Sequence, residues 1–220
     1  AQRDSILKLD EVVVSDSRVK QYAEGYKVTV LQDSIIQRTN GSLTSLLAFN
    51  SNIYFKENGF GMVSSPAFRG TNASHTAVIW NGININSQLN GQVDFNTINP
   101  FNYNSISIRS GGGSVQYGSG AIGGSIHLNS DLLFKEHFDN QVSIGYGSYK
   151  TKKINFNQSY GSRLMSYSLG VNYNASDNNY KYLNTGDENK NGEFNNLNLN
   201  WNIGYVLSEN QILKLYHQTF

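Results

Sequence analysis

Two glycine-flanked turns carry the side chains best suited to holding a ligand. "KENGFGM" presents Asn58, Phe60 and Met62, and "NSQLNGQVD" presents Ser87, Gln88, Leu89 and Asn90. Amide and hydroxyl groups beside an apolar contact suit a neutral or weakly charged organic molecule. Ordinary solvated turns share this composition, so the placement is an expectation to be tested. Covalent chemistry on such a molecule is not expected. The chain has no Cys, and no Ser-His-Asp setting, catalytic pair of acids or cofactor loop stands out. Neither an enzyme nor a cofactor is therefore expected. His75, His127, His137 and His217 lack paired ligand spacing, which argues against a metal site. "DENKNG" from Asp187 reproduces the opening half of a calcium loop, but Asn198 occupies the twelfth position, where a bidentate Glu belongs.

A second glycine-rich stretch asks for a different explanation. "YGSGAIGGSIHL" begins at Tyr117 and places Gly118, Gly120, Gly123 and Gly124 just ahead of an alternating run. Glycine costs roughly 0.5–1 kcal/mol relative to alanine in regular structure, so the cluster marks positive φ angles or close approach to another backbone. A phosphate-binding loop would carry a Lys-Ser/Thr pair and lead into a helix; this stretch does neither.

The elements that position these residues fall into two halves. Only 15% of the 220 residues are charged, the net charge is +1, and 14 Tyr and 11 Phe stand against 2 Pro, a strand-rich balance with no basic run for a nucleic acid. No apolar stretch reaches the ~18–20 residues of a membrane helix. Up to about residue 131, short strands alternate with turns and one helix. Ser42 can cap that helix, with Leu43, Leu46 and Leu47 on one face. Asn81-Gly82 between two strand-like runs signals a hairpin, and "NSISIRS" and "GSIHLNS" read as strands. Arg69 and Arg109, both within strand-like runs, are expected to form structural ion pairs.

From about residue 138 the chain alternates strictly. Val142, Ile144 and Tyr146 share a face, as do Ile154, Phe156 and Tyr160. Met165, Tyr167, Leu169, Val171 and Tyr173 oppose Ser166, Ser168, Gly170, Asn172 and Asn174. Leu197, Leu199, Trp201, Ile203 and Tyr205 oppose Asn198, Asn200, Asn202 and Gly204, and Leu213 and Leu215 are the apolar positions of a fifth segment. Segments of ~10 residues with one apolar and one polar face, joined by short turns on one side and a longer polar loop on the other, match transmembrane β-barrel strands. A soluble sandwich has the same period. Five strands cannot close a barrel, so a longer chain or strands from another chain are expected. The start at Ala1-Gln2 without Met suggests signal-peptide removal and hence export.

In order along the chain, these motifs resemble the TonB-dependent outer-membrane transporter family. "YGSGAIGGSIHL" is close to the family's plug-terminal pattern, "FRG" at Phe68 to Gly70 resembles its IRG strand, "TAVIWNGININ" its LVLVDGVPIN stretch, and "SLTSLL" its plug helix. "LDEVVVS" at Leu9 to Ser15 resembles the TonB box. Departures exist: Ser107, Ser110 and Gly112 stand where the family carries charged residues and Pro, Arg109 is one position early, and Asn81 replaces the hairpin Asp.

The resemblance implies a mainly β fold: an α+β plug domain followed by the first antiparallel strands of a transmembrane β-barrel. Residues 1–20 would be an extended segment, 21–131 the plug and 132–220 about five barrel strands. Arg69, Gly70, Gly118, Gly120, Gly123 and Gly124 would be structural, the glycines letting the plug's last segment turn against the barrel wall before the first barrel strand. Asp10, Glu11, Val12, Val13, Val14 and Ser15 would add as a strand to a TonB-type energy-coupling protein, the alternative being a first strand of the plug sheet. The implied function is import of a ferric siderophore or cobalamin across the Gram-negative outer membrane. Besides the coupling protein, the partners are outer-membrane lipid and the small-molecule substrate. A secreted glycan-binding module or adhesin is the alternative.

Overall fold

The computed structural model describes residues 13–14, 27–39, 41–118 and 120–219. In chain order the elements begin with β1 (Val13–Val14), β2 (Val28–Gln32), α1 (Asp33–Arg38), α2 (Leu43–Asn50), β3 (Tyr54–Glu57) and β4 (Ser64–Ala67). There follow β5 (Thr76–Trp80), β6 (Ile83–Asn84), β7 (Ser105–Ser110), α3 (Ser114–Tyr117), β8 (Gly124–Asn129) and β9 (Leu132–Leu133). Five long strands complete the order: β10 (His137–Gly147), β11 (Thr151–Gly161), β12 (Met165–Ser176), β13 (Phe194–Ser208) and β14 (Gln211–Thr219).

Local chemistry sets the elements of the first half. Ser42 Oγ accepts from the Ser45 amide at 3.3 Å and caps α2, while Asn50 Nδ2 and Ser51 Oγ donate to the carbonyls of Leu46 and Leu47 at its end. Leu43, Leu46 and Leu47 are fully buried, each contributing about 1.5–3 kcal/mol. They pack on a sheet of order β2-β7-β8-β5-β6, against Ile106, Ile126 and Leu128. Its other face buries Ala77, Ile79, Tyr117 and Ala121, so β5 and β8 are buried on both sides. The β5–β6 hairpin turns on Asn81 and Gly82 at φ of 46° and 87°, the two positive angles that a tight two-residue turn requires.

The second half is one antiparallel sheet, β10-β11-β12-β13-β14. Its exposure is inverted relative to a soluble protein. On β13, Asn198, Asn200 and Asn202 are buried, whereas Leu197, Trp201 and Tyr205 are 61%, 43% and 45% exposed. Val142, Ile144 and Tyr146 on β10 and Leu213 and Leu215 on β14 are likewise exposed. A sandwich would bury this apolar stripe; a barrel in lipid presents it outward. The turns at 148–150 and 177–193 lie at one end of the sheet, and those at 162–164 and 209–210 at the other. These are called the long-loop and short-turn ends below.

Two sequence expectations are corrected by packing. Among the described residues, Gly120, Gly123 and Gly124 lie against the plug's own sheet and loops rather than the wall strands. A Cβ on Gly124 would sit 2.7 Å from the Arg109 carbonyl and 2.9 Å from the Phe68 ring, and one on Gly123 would sit 2.5 Å from Thr71 Oγ1. Gly118 has φ +88°, and Gly120 meets Ser74 at an ordinary 3.4 Å. The segment then becomes β8, the central strand of the plug sheet, so its tightness serves strand insertion between β7 and β5. Arg69 is not in a strand: it and Gly70 form an exposed turn after β4, with φ of 49° and 82°. Arg109 is in β7, buried, and its Nη1 donates to Gln116 Oε1 at 2.7 Å within the plug.

Candidate functional site

Pleating arranges the polar side of the second sheet in rows. Ser143, Asn155, Asn172 and Asn198 are consecutive cross-strand partners; Asn157, Gly170, Asn200 and Gln218 form the next row toward the short-turn end. A third row contains Ser159, Ser168, Asn202 and Tyr216.

The plug is hydrogen-bonded to these rows through one segment, residues 97–103, and one turn, and Trp80 of β5 packs on the Tyr216 ring at 5.8 Å. Thr97 accepts from Asn198 Nδ2 at 3.0 Å and from Asn196 Nδ2 at 3.3 Å. Asn99 Nδ2 donates to Asn155 Oδ1 at 2.9 Å, Asn157 Nδ2 donates to the Phe101 carbonyl, and Asn172 Nδ2 donates to Asn102 Oδ1. Gln218 Nε2 donates to Tyr103 Oη at 2.7 Å, and Asn81 Nδ2 to Asn202 Oδ1 at 3.0 Å. Gly170 makes room for this strut: a Cβ there would lie 2.2 Å from Asn102 Oδ1. Every one of these bonds joins uncharged groups. Each is worth about 0.5–1.5 kcal/mol net, without the desolvation cost of a buried ion pair. Among the described residues, the hydrogen bonds between the plug and these rows are thus many and neutral rather than few and charged.

Two cavities flank the strut. One of about 400 Å³ opens toward the long-loop end, lined by Asn99, Phe101, Tyr149, Lys153, Asn155 and Asn172 among others. The other, about 580 Å³, lies toward the short-turn end and touches Phe101, Asn102, Asp131, His137, Asn157 and Gly170. Burial raises the Asp131 carboxyl above its ordinary range, and Asp131 Oδ1 is a buried oxygen without a hydrogen-bond partner among the described residues. Burial likewise raises the Tyr103 phenol, opposed by its hydrogen bond from Gln218.

The expected ligand residues lie elsewhere. Asn58, Phe60 and Met62 form the β3–β4 turn, closed by the Asn58 amide on the Val63 carbonyl. This turn faces the long-loop end: the Phe60 carbonyl accepts from Asn178 Nδ2 at 2.9 Å, its ring packs edge-on against Phe194 at 5.4 Å, and Lys153 Nζ lies 5.4 Å from the ring centre. Ser87, Gln88, Leu89 and Asn90 form an exposed turn closed by the Gly91 amide on the Ser87 carbonyl, with Leu89 96% exposed. Asp94 and Asn96, just beyond it, brace the first turn: Asp94 Oδ1 accepts from the Ser64 amide, and Asn96 Nδ2 donates to the Met62 carbonyl. None of the seven residues lines either cavity. Sequence reasoning missed Asn96, Asn99 and Asn102; their signal was an asparagine at every third position in "NTINPFN", opposite an asparagine-faced sheet.

Of the coupling residues, Asp10, Glu11, Val12 and Ser15 lie outside the described residues. Val13 and Val14 are β1, which pairs antiparallel with Leu133 and Leu132 of β9, apart from the five-stranded plug sheet. β9 immediately precedes the first wall strand.

An α+β domain docked on the polar face of strands whose apolar face points outward defines a plugged β-barrel of the membrane type. Comparison with known proteins agrees: residues 20–125 match the TonB-dependent Receptor Plug Domain. This segment is the plug domain of TonB-dependent receptors, a family of outer-membrane proteins, and the strands that follow it are the first antiparallel strands of the barrel. It is 29% identical over 143 residues to the vitamin B12 transporter BtuB of Vibrio vulnificus (strain YJ016), covering 63% of this chain and 23% of that relative. Among solved structures it superposes on the copper transporter OprC with a TM-score of 0.71 at 17% identity, covering 94% of this chain and 31% of the other. The siderophore receptor PiuA from Acinetobacter baumannii gives 0.67 at 16% identity, covering 88% and 26%. The chain therefore spans about a quarter of the curated relative it matches.

Proposed function

We propose that the protein imports a scarce organic solute across the Gram-negative outer membrane, with the plug as its gate and a TonB-type coupling protein as its energy source. The observation that carries this reading is the asparagine interface, which joins a folded plug to the lumen face of lipid-facing strands through uncharged, replaceable contacts. Cobalamin or a ferric siderophore is the substrate class, a reading supported by the similarity to a vitamin B12 transporter. The turns at Asn58, Phe60 and Met62 and at Ser87, Gln88, Leu89 and Asn90 receive the solute from the extracellular side. The brace of the first turn at Asp94 and Asn96 passes the solute's arrival to the strut.

On the periplasmic side, Asp10 to Ser15 add as a strand to the coupling protein's sheet. Since Val13 and Val14 are already paired with β9, this step exchanges one strand partner for another. The open edges of β10 and β14 are covered by further strands, as lipid demands. Deleting residues 9–15 abolishes energised uptake of cyanocobalamin or ferric siderophore and leaves surface binding intact. Loss of binding as well would refute the coupling role, and unchanged substrate affinity after replacing both turns would refute theirs.

A further inference from the structure

We propose that the solute's path follows the asparagine-faced inner surface of β10–β13 and that the strut Asn99–Asn102 is the gate on that path. The inference rests on the import reading above and adds where the opening forms. Three observations converge on the strut. The two cavities on the same wall share Phe101, so the segment carrying that ring divides them. They follow the rows of the sheet: Asn155, Asn172 and Asn198 line the long-loop cavity, while Asn157, Gly170 and Asn200 of the next row line the short-turn cavity. The strut is bonded across that step, Asn99 and Asn102 to the first row and the Phe101 carbonyl to the second. Lifting these four residues off the wall merges both cavities into one passage, with the rest of the plug sheet left folded.

The chemistry suits repeated opening. Each bond joins an amide to an amide or a carbonyl, so water or an amide- or hydroxyl-bearing solute replaces it without uncovering a charge. Gly170 lets the strut lie flush in the closed state, since any side chain there meets Asn102 Oδ1. Asn157 and Asn172, both on this wall, each keep a buried side-chain oxygen without a partner among the described residues. These are the acceptors a passing hydroxyl or amide donor would use.

The test uses the intact membrane protein in planar lipid bilayers, with KCl current as the probe. Replacing Asn102→Ala and Asn157→Ala loosens the strut and raises the frequency of open events about tenfold or more, the ratio carried by two neutral hydrogen bonds. In that background, Asn99→Cys and Asn155→Cys bridged by a short bis-methanethiosulfonate reagent silence the current, and reductant restores it. Heat-modifiable migration in SDS gels selects folded protein for each measurement. A loosened variant that stays silent, or a current that persists through the bridge, overturns the gate. Cyanocobalamin or siderophore uptake that continues with the bridge closed also overturns it, and leaves the import reading standing.

Discussion

Asn81 closes the β5–β6 hairpin at φ 46° and reaches across 121 positions of sequence to donate to Asn202 Oδ1 on the barrel wall at 3.0 Å. Its own Oδ1 accepts from the Ser130 amide at 2.8 Å. One side chain thus shapes a turn, ties down the end of β8 and anchors the plug. Only an amide satisfies all three, because the turn favours Asn, Asp or Gly and the wall needs a donor.

Asn81→Asp keeps the turn and the Ser130 contact but turns a carboxylate oxygen toward the Asn202 carbonyl. Asn202 cannot answer by rotating, since its Nδ2 already donates to Ser168 Oγ and Asn200 Oδ1. A loss of about 1–3 kcal/mol is expected in thermal unfolding of the detergent-solubilised protein, as for a buried acceptor left without a donor. The Asn202→Ala background should remove most of that difference.

Gly124→Ala is expected to destabilise the plug by about 1–3 kcal/mol, because its methyl group overlaps the Arg109 carbonyl and the Phe68 ring in the central strand. Gly120→Ala meets only ordinary contacts and should change stability by no more than about 0.5 kcal/mol. Protease resistance of the plug in the assembled protein reads the contrast.

Trp201→Arg tests the direction of the outer face. At mid-strand in lipid it costs about 2–4 kcal/mol, while Leu207→Arg near the short-turn end costs about 0–1 kcal/mol. Equilibrium folding into lipid vesicles measures both, and equal small effects would place this face in water.

Asp131 gives a pH dependence. Burial raises its carboxyl in the folded state, so the folded protein holds that proton to higher pH than the unfolded chain. Its contribution is neutral below the unfolded pKa of about 3.9, becomes destabilising as pH rises from there toward the raised folded value, and is constant above it. Asp131→Asn should therefore raise the melting temperature at neutral pH and leave it nearly unchanged below about pH 4.

Local patterns made the architecture legible. Strict alternation from Leu197 to Tyr205 is a property of one strand, and the solvent that each face prefers follows from side-chain type alone. The Ser42 cap and the Asn81-Gly82 turn are likewise local, decided within a few residues. What tertiary structure alone decided was which surfaces meet. Gly124 proved tight against Arg109 and Phe68 rather than the wall, and Arg69 fell in a turn, because neighbours distant in sequence set both environments. The asparagines of "NTINPFN" and those of β11–β13 look alike as polar residues, and their pairing spans 56 to 101 positions. Composition shows that a face is polar; only the folded chain shows what its amides hold, since a hydrogen bond needs a partner within about 3 Å and no local pattern encodes that distance.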